Sequence, residues 1–144
     1  MKAEVFLDTA YAIALSSPND LFHHQALVLA DELEAAGVRL ITTRAVLLEI
    51  GNALSKRRNR QAAVTLLTAL EVDPLVEVVS LSEQLYSRAL QLYRERLDKE
   101  WGLTDCISFI AMQDRGIVEA LTTDEHFQQA GFCAFYHGRY KPRL

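Results

Sequence analysis

Short apolar runs alternate along the chain with longer segments in which apolar residues recur every three or four positions. The runs predict strands at 2–7, 38–43, 75–80, 117–123 and 132–137. The segments between them predict helices at 9–16, 21–37, 44–58, 59–74, 81–97, 103–116 and 124–131. Alternating strands and helices favour right-handed crossovers. The pattern therefore predicts an α/β fold, a three-layer α/β/α sandwich with a central, mostly parallel sheet of four to five strands.

Individual residues predict where several of these helices begin and end. Gly37 and Gly116 follow the last apolar positions of their helices, as C-terminal glycine caps do. Thr43 is suited to cap the helix that follows the second strand. Ser80 and Glu83 have the spacing of a capping box for the helix at 81–97.

The first predicted strand ends on an acidic residue. Val5, Phe6 and Leu7 form an apolar run, and Asp8 follows it directly. Burying a carboxylate costs far more than burying a hydroxyl or an amide, so Asp8 needs a specific partner. In an open parallel sheet, the functional cleft lies beyond the carboxyl ends of the strands, near the point where the strand order reverses. We therefore expect Asp8 to lie in that cleft.

Two further aspartates are expected at the same edge of the sheet. Asp124 follows the fourth predicted strand, and Asp105 lies in the first turn of a helix that Thr104 opens. An aspartate at either kind of position also serves as an N-cap or as a favourable charge at the positive end of a helix. Taken singly, each of these residues therefore has a structural explanation.

Glu49 lies inside a predicted helix, between Leu48 and Ile50, with no Lys or Arg three or four residues away. Gly51 follows at a cost of about 1 kcal/mol relative to alanine in a helix interior. The small residues predict a helix that packs closely against other backbone, with the carboxylate of Glu49 directed inward.

Four carboxylates in one cleft predict a cation site. Like charges repel and take up protons unless a divalent ion keeps them ionised. Carboxylate oxygens are hard ligands that suit Mg²⁺ or Mn²⁺. We therefore interpret Asp8 as a metal ligand.

Four stretches resemble the motifs of the PIN-domain ribonucleases, and within them the VapC-like toxins of bacterial and archaeal toxin–antitoxin pairs. These stretches are FLDTAYAIAL, LITTRAVLLEIGNAL, DKEWGLTDCISFIAM and ALTTDEHFQQAGF. The resemblance covers nearly the whole chain and implies one PIN-like nuclease domain over residues 1–144. It implies an acidic quartet with two supporting hydroxyls. The residues are Asp8, Glu49, Asp105 and Asp124, with Thr9 and Thr104 in support.

The same resemblance implies a metal-dependent endoribonuclease that uses Mg²⁺ or Mn²⁺ to hydrolyse RNA phosphodiester bonds. Asp8, Asp105 and Asp124 would hold the metal. Glu49 would bind it through water or orient the attacking water. The resemblance also implies a cognate antitoxin protein and a homodimer.

Three other residues near these motifs have structural interpretations. Asp98 precedes the third motif, where a solvent-exposed charge is the simplest interpretation. His23 or His24 matches a histidine that is common in the family's first long helix, and we expect a hydrogen-bonded structural role for it.

The charge balance bears on the nucleic-acid partner. The chain has 19 acids and 15 bases, whereas a nucleic-acid binder is normally basic. Removing the four candidate site acids leaves 15 acids against 15 bases, so the remaining surface permits local basic patches. Such patches contact phosphates without reading bases, although charge runs are also common as solvated surface. The two patches are Lys56, Arg57, Arg58 and Arg60, and Arg139, Lys141 and Arg143.

The sequence disfavours several other classes of protein. No glycine follows the first strand, which argues against a P-loop or dinucleotide enzyme, and Ala10 stands where an aspartyl-phosphate phosphatase usually has a second acid. Cys106 and Cys133 lack metal-ligand spacing and are expected to be buried. No targeting or membrane-spanning segment is evident, so we expect a cytoplasmic protein. A non-catalytic PIN-fold module that binds RNA or protein remains the alternative.

Overall fold

The computed structural model describes residues 3–134. The strands are β1 (Glu4–Leu7), β2 (Arg39–Thr43), β3 (Val76–Val79), β4 (Glu119–Leu121) and β5 (Cys133–Ala134). The helices are α1 (Thr9–Ser16), α2 (His23–Ala35), α3 (Arg44–Ala53), α4 (Arg57–Val72), α5 (Glu83–Glu95), α6 (Leu103–Arg115) and α7 (His126–Gln129). These elements confirm the predicted α/β fold.

The five strands are all parallel and lie in the order β3-β2-β1-β4-β5. The chain moves outward from β1 to β3, returns past β1 to β4, and then reaches β5. Since crossovers between parallel strands are right-handed, α1 to α4 cover one face of the sheet and α5 to α7 cover the other. The strand order reverses between β1 and β4, so the carboxyl ends of these two strands define the expected cleft.

The core beneath this cleft is apolar and continuous. Phe6 in β1, Phe109 in α6 and Phe127 in α7 are buried, at most 1% exposed. The ring centroid of Phe127 lies 6.1 Å from that of Phe6 and 5.0 Å from that of Phe109. Trp101 packs edge-on against Phe109 and donates from Nε1 to Gln129 Oε1 at 3.0 Å. These contacts fix the start of α6 and the short helix α7 relative to β1.

Most predicted helix ends are confirmed. Gly37 and Gly116 follow α2 and α6 with φ of 67°, a left-handed conformation that glycine adopts without steric cost. Thr43 caps α3 by accepting from the N–H of Val46 at 3.2 Å. The predicted cap of α5 is wrong by two residues, because Ser82 rather than Ser80 accepts the capping hydrogen bond.

Two further helix boundaries differ from the prediction. The helix expected at 44–58 ends at Ala53, and the next begins at Arg57, so the basic run starts a helix instead of ending one. Helix α6 begins at Leu103, as predicted, but its N-cap is Gly102. In the described residues, β5 covers only Cys133–Ala134, and the rest of the fifth predicted strand lies outside them.

Within residues 3–134, no helix combines the length and apolar character needed to cross a membrane. Cys106 is buried as expected, whereas Cys133 is exposed.

Candidate active site

Asp8 lies at the carboxyl end of β1, where its side chain is only 4% exposed. It occupies the N-cap position of α1 but accepts no capping hydrogen bond. Burial raises the pKa of Asp8 to about 7, although hydrogen bonds from the side chain of Thr122 and the backbone of Thr9 favour the ionised form. The charges of Asp105 and Glu49 contribute to the same rise in pKa. Capping therefore does not explain why a carboxylate is buried here.

Thr122 joins the ends of β1 and β4. Its hydroxyl donates to Asp8 Oδ2 at 2.7 Å and accepts from the backbone N–H of Asp124 at 2.9 Å. The backbone N–H of Asp8 also donates to the carbonyl of Leu121 at 3.0 Å. One hydroxyl thus positions the carboxylate of Asp8 and the backbone of Asp124 at the point where the strand order reverses.

Asp105, Asp124 and His126 form a second part of the site, with one ligand atom from each within 4.8 Å of the others. His126 Nδ1 lies 3.0 Å from Asp105 Oδ2 and 3.2 Å from Asp124 Oδ2. Asp105 Oδ2 also accepts from the backbone N–H of Gly102 at 3.0 Å. Asp124 Oδ1 accepts from the backbone N–H of His126 at 2.9 Å. Backbone donors thus orient both carboxylates.

The pKa values of this group reflect competition between burial and charge. Burial raises the pKa of Asp105, the hydrogen bonds from His126 and Gly102 oppose the rise, and the charge of Asp124 adds to it. Burial by itself lowers the pKa of His126, but the hydrogen bond to Asp105 and the charges of both aspartates outweigh it, so the pKa is raised. Asp8, Asp105 and Asp124 therefore belong to one electrostatically coupled site.

Glu49 takes a different place from the one expected. Its side chain is exposed, so the prediction of an inward carboxylate is wrong. A Cβ at Gly51 would meet only Leu67 Cδ1, at an ordinary 3.7 Å, so close backbone packing does not explain this glycine either. The charge of Glu49 nevertheless acts on Asp8. Glu49 is therefore close enough to act electrostatically on Asp8, and it is more accessible to water than Asp8 is.

The two predicted supporting hydroxyls are in different environments. Thr9 is buried, and its Oγ1 is the one buried side-chain polar atom in the described chain without a hydrogen-bond partner. Thr104 is half-buried, and its carbonyl accepts from Ser108 Oγ at 3.0 Å within α6. Thr9 therefore carries unused hydrogen-bonding capacity directly beside Asp8.

Asp98 and His23 have the structural roles expected of them. Asp98 makes a two-pronged ion pair with Arg96, at 3.0 Å for both hydrogen bonds, and is exposed. His23 Nδ1 lies 2.7 Å from the carbonyl of Ala14, which ties α2 to α1, and His24 is exposed.

The first predicted basic patch surrounds the start of α4. Lys56 is the N-cap residue, Arg57 and Arg58 follow in the first turn, and all three are exposed. Arg60 donates twice to the carbonyl of Ser55, at 3.2 and 3.0 Å, so it is partly engaged in local structure. The second predicted patch, at Arg139, Lys141 and Arg143, lies outside the described residues.

Sequence reasoning missed two residues of the site, Thr122 and His126. Together with Asp124 they follow β4 at intervals of two residues. This Thr-x-Asp-x-His spacing is the one local signal for them. Polar residues with this spacing are also common between the end of a strand and the start of a helix. The spacing by itself therefore does not predict a functional role for Thr122 or His126.

The fold and the site define a class: a parallel α/β protein with a group of carboxylates at the switch point of its sheet. Residues 5–132 match the PIN domain family, and the chain belongs to that family.

The chain is also similar to individual proteins. It is 28% identical over 128 residues to the 23S rRNA-specific endonuclease VapC20 of Mycobacterium tuberculosis, which covers 89% of this chain and 95% of the relative. The crystal structure of VapC20, described as a sarcin–ricin loop cleaving toxin, matches with a TM-score of 0.81. The match covers 89% of this chain and 95% of the VapC20 chain.

Two more distant structures share the fold. VapBC2 from Rickettsia felis bound to a promoter DNA fragment matches with a TM-score of 0.66 at 12% identity, over 96% of this chain and 99% of the other. FitAcB from Neisseria gonorrhoeae matches with a TM-score of 0.63 at 19% identity, over 91% of this chain and 96% of the other.

Proposed function

We propose that this protein is a metal-dependent endoribonuclease that hydrolyses RNA phosphodiester bonds, and that it is the toxin of a toxin–antitoxin pair. The observation that carries the proposal is the coupling of three partly or wholly buried carboxylates at the switch point of the sheet, at Asp8, Asp105 and Asp124. The similarity to VapC20, named as an endonuclease, supports the same activity.

The donor set fits a divalent cation. Burial raises the pKa values of Asp8 and Asp105, so these acids are costly to ionise without a counter-charge. Asp105 and Asp124 offer ligand oxygens close together, and oxygen donors suit Mg²⁺ and Mn²⁺. We propose that Asp8, Asp105 and Asp124 hold the ion.

In such sites, a bound divalent ion lowers the pKa of water and offsets the negative charge that develops during phosphodiester cleavage. The chain's own residues position these components. Thr122 fixes the carboxylate of Asp8, and Gly102 fixes that of Asp105. Glu49, which is exposed and whose charge acts on Asp8, would orient the attacking water or bind the ion through water. Thr9, whose backbone hydrogen-bonds to Asp8, and Thr104, which precedes Asp105, would support the first and third acids.

We propose that the substrate is a single-stranded or looped RNA held by the basic residues at the start of α4. Cations in the first turn of a helix oppose the helix dipole and cost stability. Lys56, Arg57 and Arg58 crowd this turn, which contains no acid. Helix stability therefore gives no reason for the cluster, whereas phosphate binding does. VapC20, described as cleaving the sarcin–ricin loop, gives a precedent for a looped target.

We further propose a cognate antitoxin that covers the cleft, a homodimer, and a single nuclease domain over residues 1–144. The similarity to VapC20, described as a toxin, supports an antitoxin partner.

A cleavage assay tests the activity. The purified protein should cut a looped RNA with Mg²⁺ or Mn²⁺ and should not cut it in chelator. Asp105→Asn should abolish cleavage, whereas Asp98→Asn, which changes an exposed aspartate outside the site, should leave it intact. RNA binding without cleavage at any metal concentration would support the non-catalytic alternative. Cleavage that survives both chelator and Asp105→Asn would reveal a contaminating nuclease.

A growth assay tests the toxin role. Expression of the wild-type chain alone should slow bacterial growth, and the Asp8→Asn chain should not. Equal toxicity of the two chains would count against a catalytic toxin.

A further inference from the structure

His126 contributes a nitrogen to a group of otherwise acidic residues. Its Nδ1 faces Asp105 Oδ2 at 3.0 Å and Asp124 Oδ2 at 3.2 Å, and its side chain is 24% exposed. No other histidine of residues 3–134 belongs to a group of this kind. The imidazole therefore lies where the carboxylates converge.

The position of the ring is fixed from several directions. The backbone N–H of His126 donates to Asp124 Oδ1, and this hydrogen bond holds the backbone of His126 against the carboxylate of Asp124. The next residue, Phe127, is fully buried against the core and holds the start of α7 in place. The backbone N–H of Gly102 orients Asp105 independently. The three side chains thus face one another because the surrounding backbone places them there.

The distances match those between neighbouring ligands of one ion. Two ligand atoms at right angles, each about 2.1 Å from an octahedral ion, are separated by about 3.0 Å. The two separations from Nδ1, 3.0 and 3.2 Å, agree with this value. One ligand atom from each of the three residues also lies within 4.8 Å of the other two.

We propose that His126 is a protein ligand of the metal through Nδ1, together with Asp105 and Asp124, and that it gives the site a preference for Mn²⁺ over Mg²⁺. The inference rests on the proposed metal-dependent function. Magnesium strongly prefers oxygen ligands, whereas first-row transition ions accept imidazole nitrogen readily. A site of carboxylates alone would lack this source of discrimination.

A competing arrangement uses the same contacts. A protonated imidazole would act as an internal counter-charge for the two carboxylates, and a bound ion would displace it. In that case Nδ1 would move away from the site when metal binds. The two arrangements differ in whether nitrogen is bonded to the ion.

Electron spin echo spectroscopy of the Mn²⁺-loaded protein distinguishes them without measuring activity. A directly bonded nitrogen modulates the Mn²⁺ echo. We expect this modulation in the wild type, a change to the ¹⁵N pattern when histidine is labelled with ¹⁵N, and loss of the modulation in His126→Gln. His24→Gln, which changes an exposed histidine, should keep it. Bound Mn²⁺ without nitrogen modulation in the wild type would overturn the proposal.

Binding constants for the two ions give a second measurement. His126→Gln should weaken Mn²⁺ binding by at least about tenfold, the lower end of the loss seen when support for a metal ligand is removed. Mg²⁺ binding should change by much less, so the preference for Mn²⁺ should fall. An equal loss for both ions would overturn the assigned preference. Failure of the wild type to bind either ion would refute the metal-dependent function itself, a result distinct from Mn²⁺ bound without nitrogen.

Discussion

Thr122 Oγ1 donates a 2.7 Å hydrogen bond to Asp8 Oδ2, across 114 positions of sequence. The bond connects the ends of β1 and β4, the two strands between which the strand order reverses. Because the same oxygen accepts from the backbone N–H of Asp124, the first and fourth predicted acids are positioned by one side chain. Thr122 therefore positions two acids of the site although it carries no charge itself.

Replacing Thr122 with valine should destabilise the protein and reduce cleavage. Valine has a similar shape but removes the side-chain donor to Asp8 and the acceptor for the N–H of Asp124. Loss of one partner from a buried hydrogen bond costs about 1–3 kcal/mol. Urea unfolding should show this loss. Thr122→Ser keeps the hydroxyl and serves as the control; equal stability of the two variants would show that the hydrogen bonds contribute little.

Asp8→Asn should separate metal binding from fold stability. In chelator, this variant should melt at or above the wild type, because it removes a buried carboxylate whose charge is unfavourable. Asparagine keeps an acceptor for Thr122. With Mn²⁺ at roughly a hundredfold its dissociation constant, the wild type should gain about 2.7 kcal/mol, or roughly 5–10 °C in Tm. The variant should gain much less.

Thermal unfolding of both proteins, with and without Mn²⁺, measures this contrast. If Asp8 serves the fold alone, the variant should instead lose stability in chelator and respond to Mn²⁺ as the wild type does. That pattern would refute the assignment of Asp8 as a metal ligand.

The stability of the metal-free protein should fall as the pH rises from about 4 to 7. The pKa of Asp8 is about 7 in the folded protein, against 3.8 for an aspartate in an unfolded chain. Between these values the folded protein holds a proton that the unfolded chain has released, so raising the pH favours unfolding by up to about 1.4 kcal/mol per unit. Urea unfolding in chelator at pH 5 and pH 8 should show a smaller decline for Asp8→Asn. Identical pH profiles would mean that Asp8 does not titrate in this range.

Removing charge from the start of α4 should weaken RNA binding. The double variant Arg57→Ala with Arg58→Ala should raise the Kd for RNA, and the dependence of log Kd on log salt should decrease by about 0.7 for each phosphate that the protein no longer neutralises. An inactive Asp105→Asn background keeps the RNA intact during the measurement. Arg94→Ala, which removes an exposed arginine from α5, is the matched control. Similar affinities for both variants would exclude the cluster from the RNA-binding surface.

The alternation of strands and helices was predictable from the sequence because each element buries one face, and burial sets a local period of apolar residues. The helix ends at Thr43, Gly37 and Gly116 were predictable for a related reason, since capping depends on nearby backbone groups. The errors at Ser80 and at the break before Arg57 are also local. A neighbouring serine was equally suited to cap α5, and a short charged turn between α3 and α4 has no strong sequence signal.

The sequence alone also predicted three carboxylates at one edge of the sheet, since Asp8 and Asp124 follow parallel strands and Asp105 lies in the first turn of a helix. Tertiary structure decided the rest. The exposure of Glu49 depends on how α3 rotates against its neighbours, and apolar residues on both sides of it did not determine that rotation. The contacts of Thr122 with Asp8, and of His126 with Asp105, join residues 114 and 21 positions apart. Such contacts depend on the strand order, which brings β4 beside β1, and strand order is a property of the whole chain that no local pattern encodes.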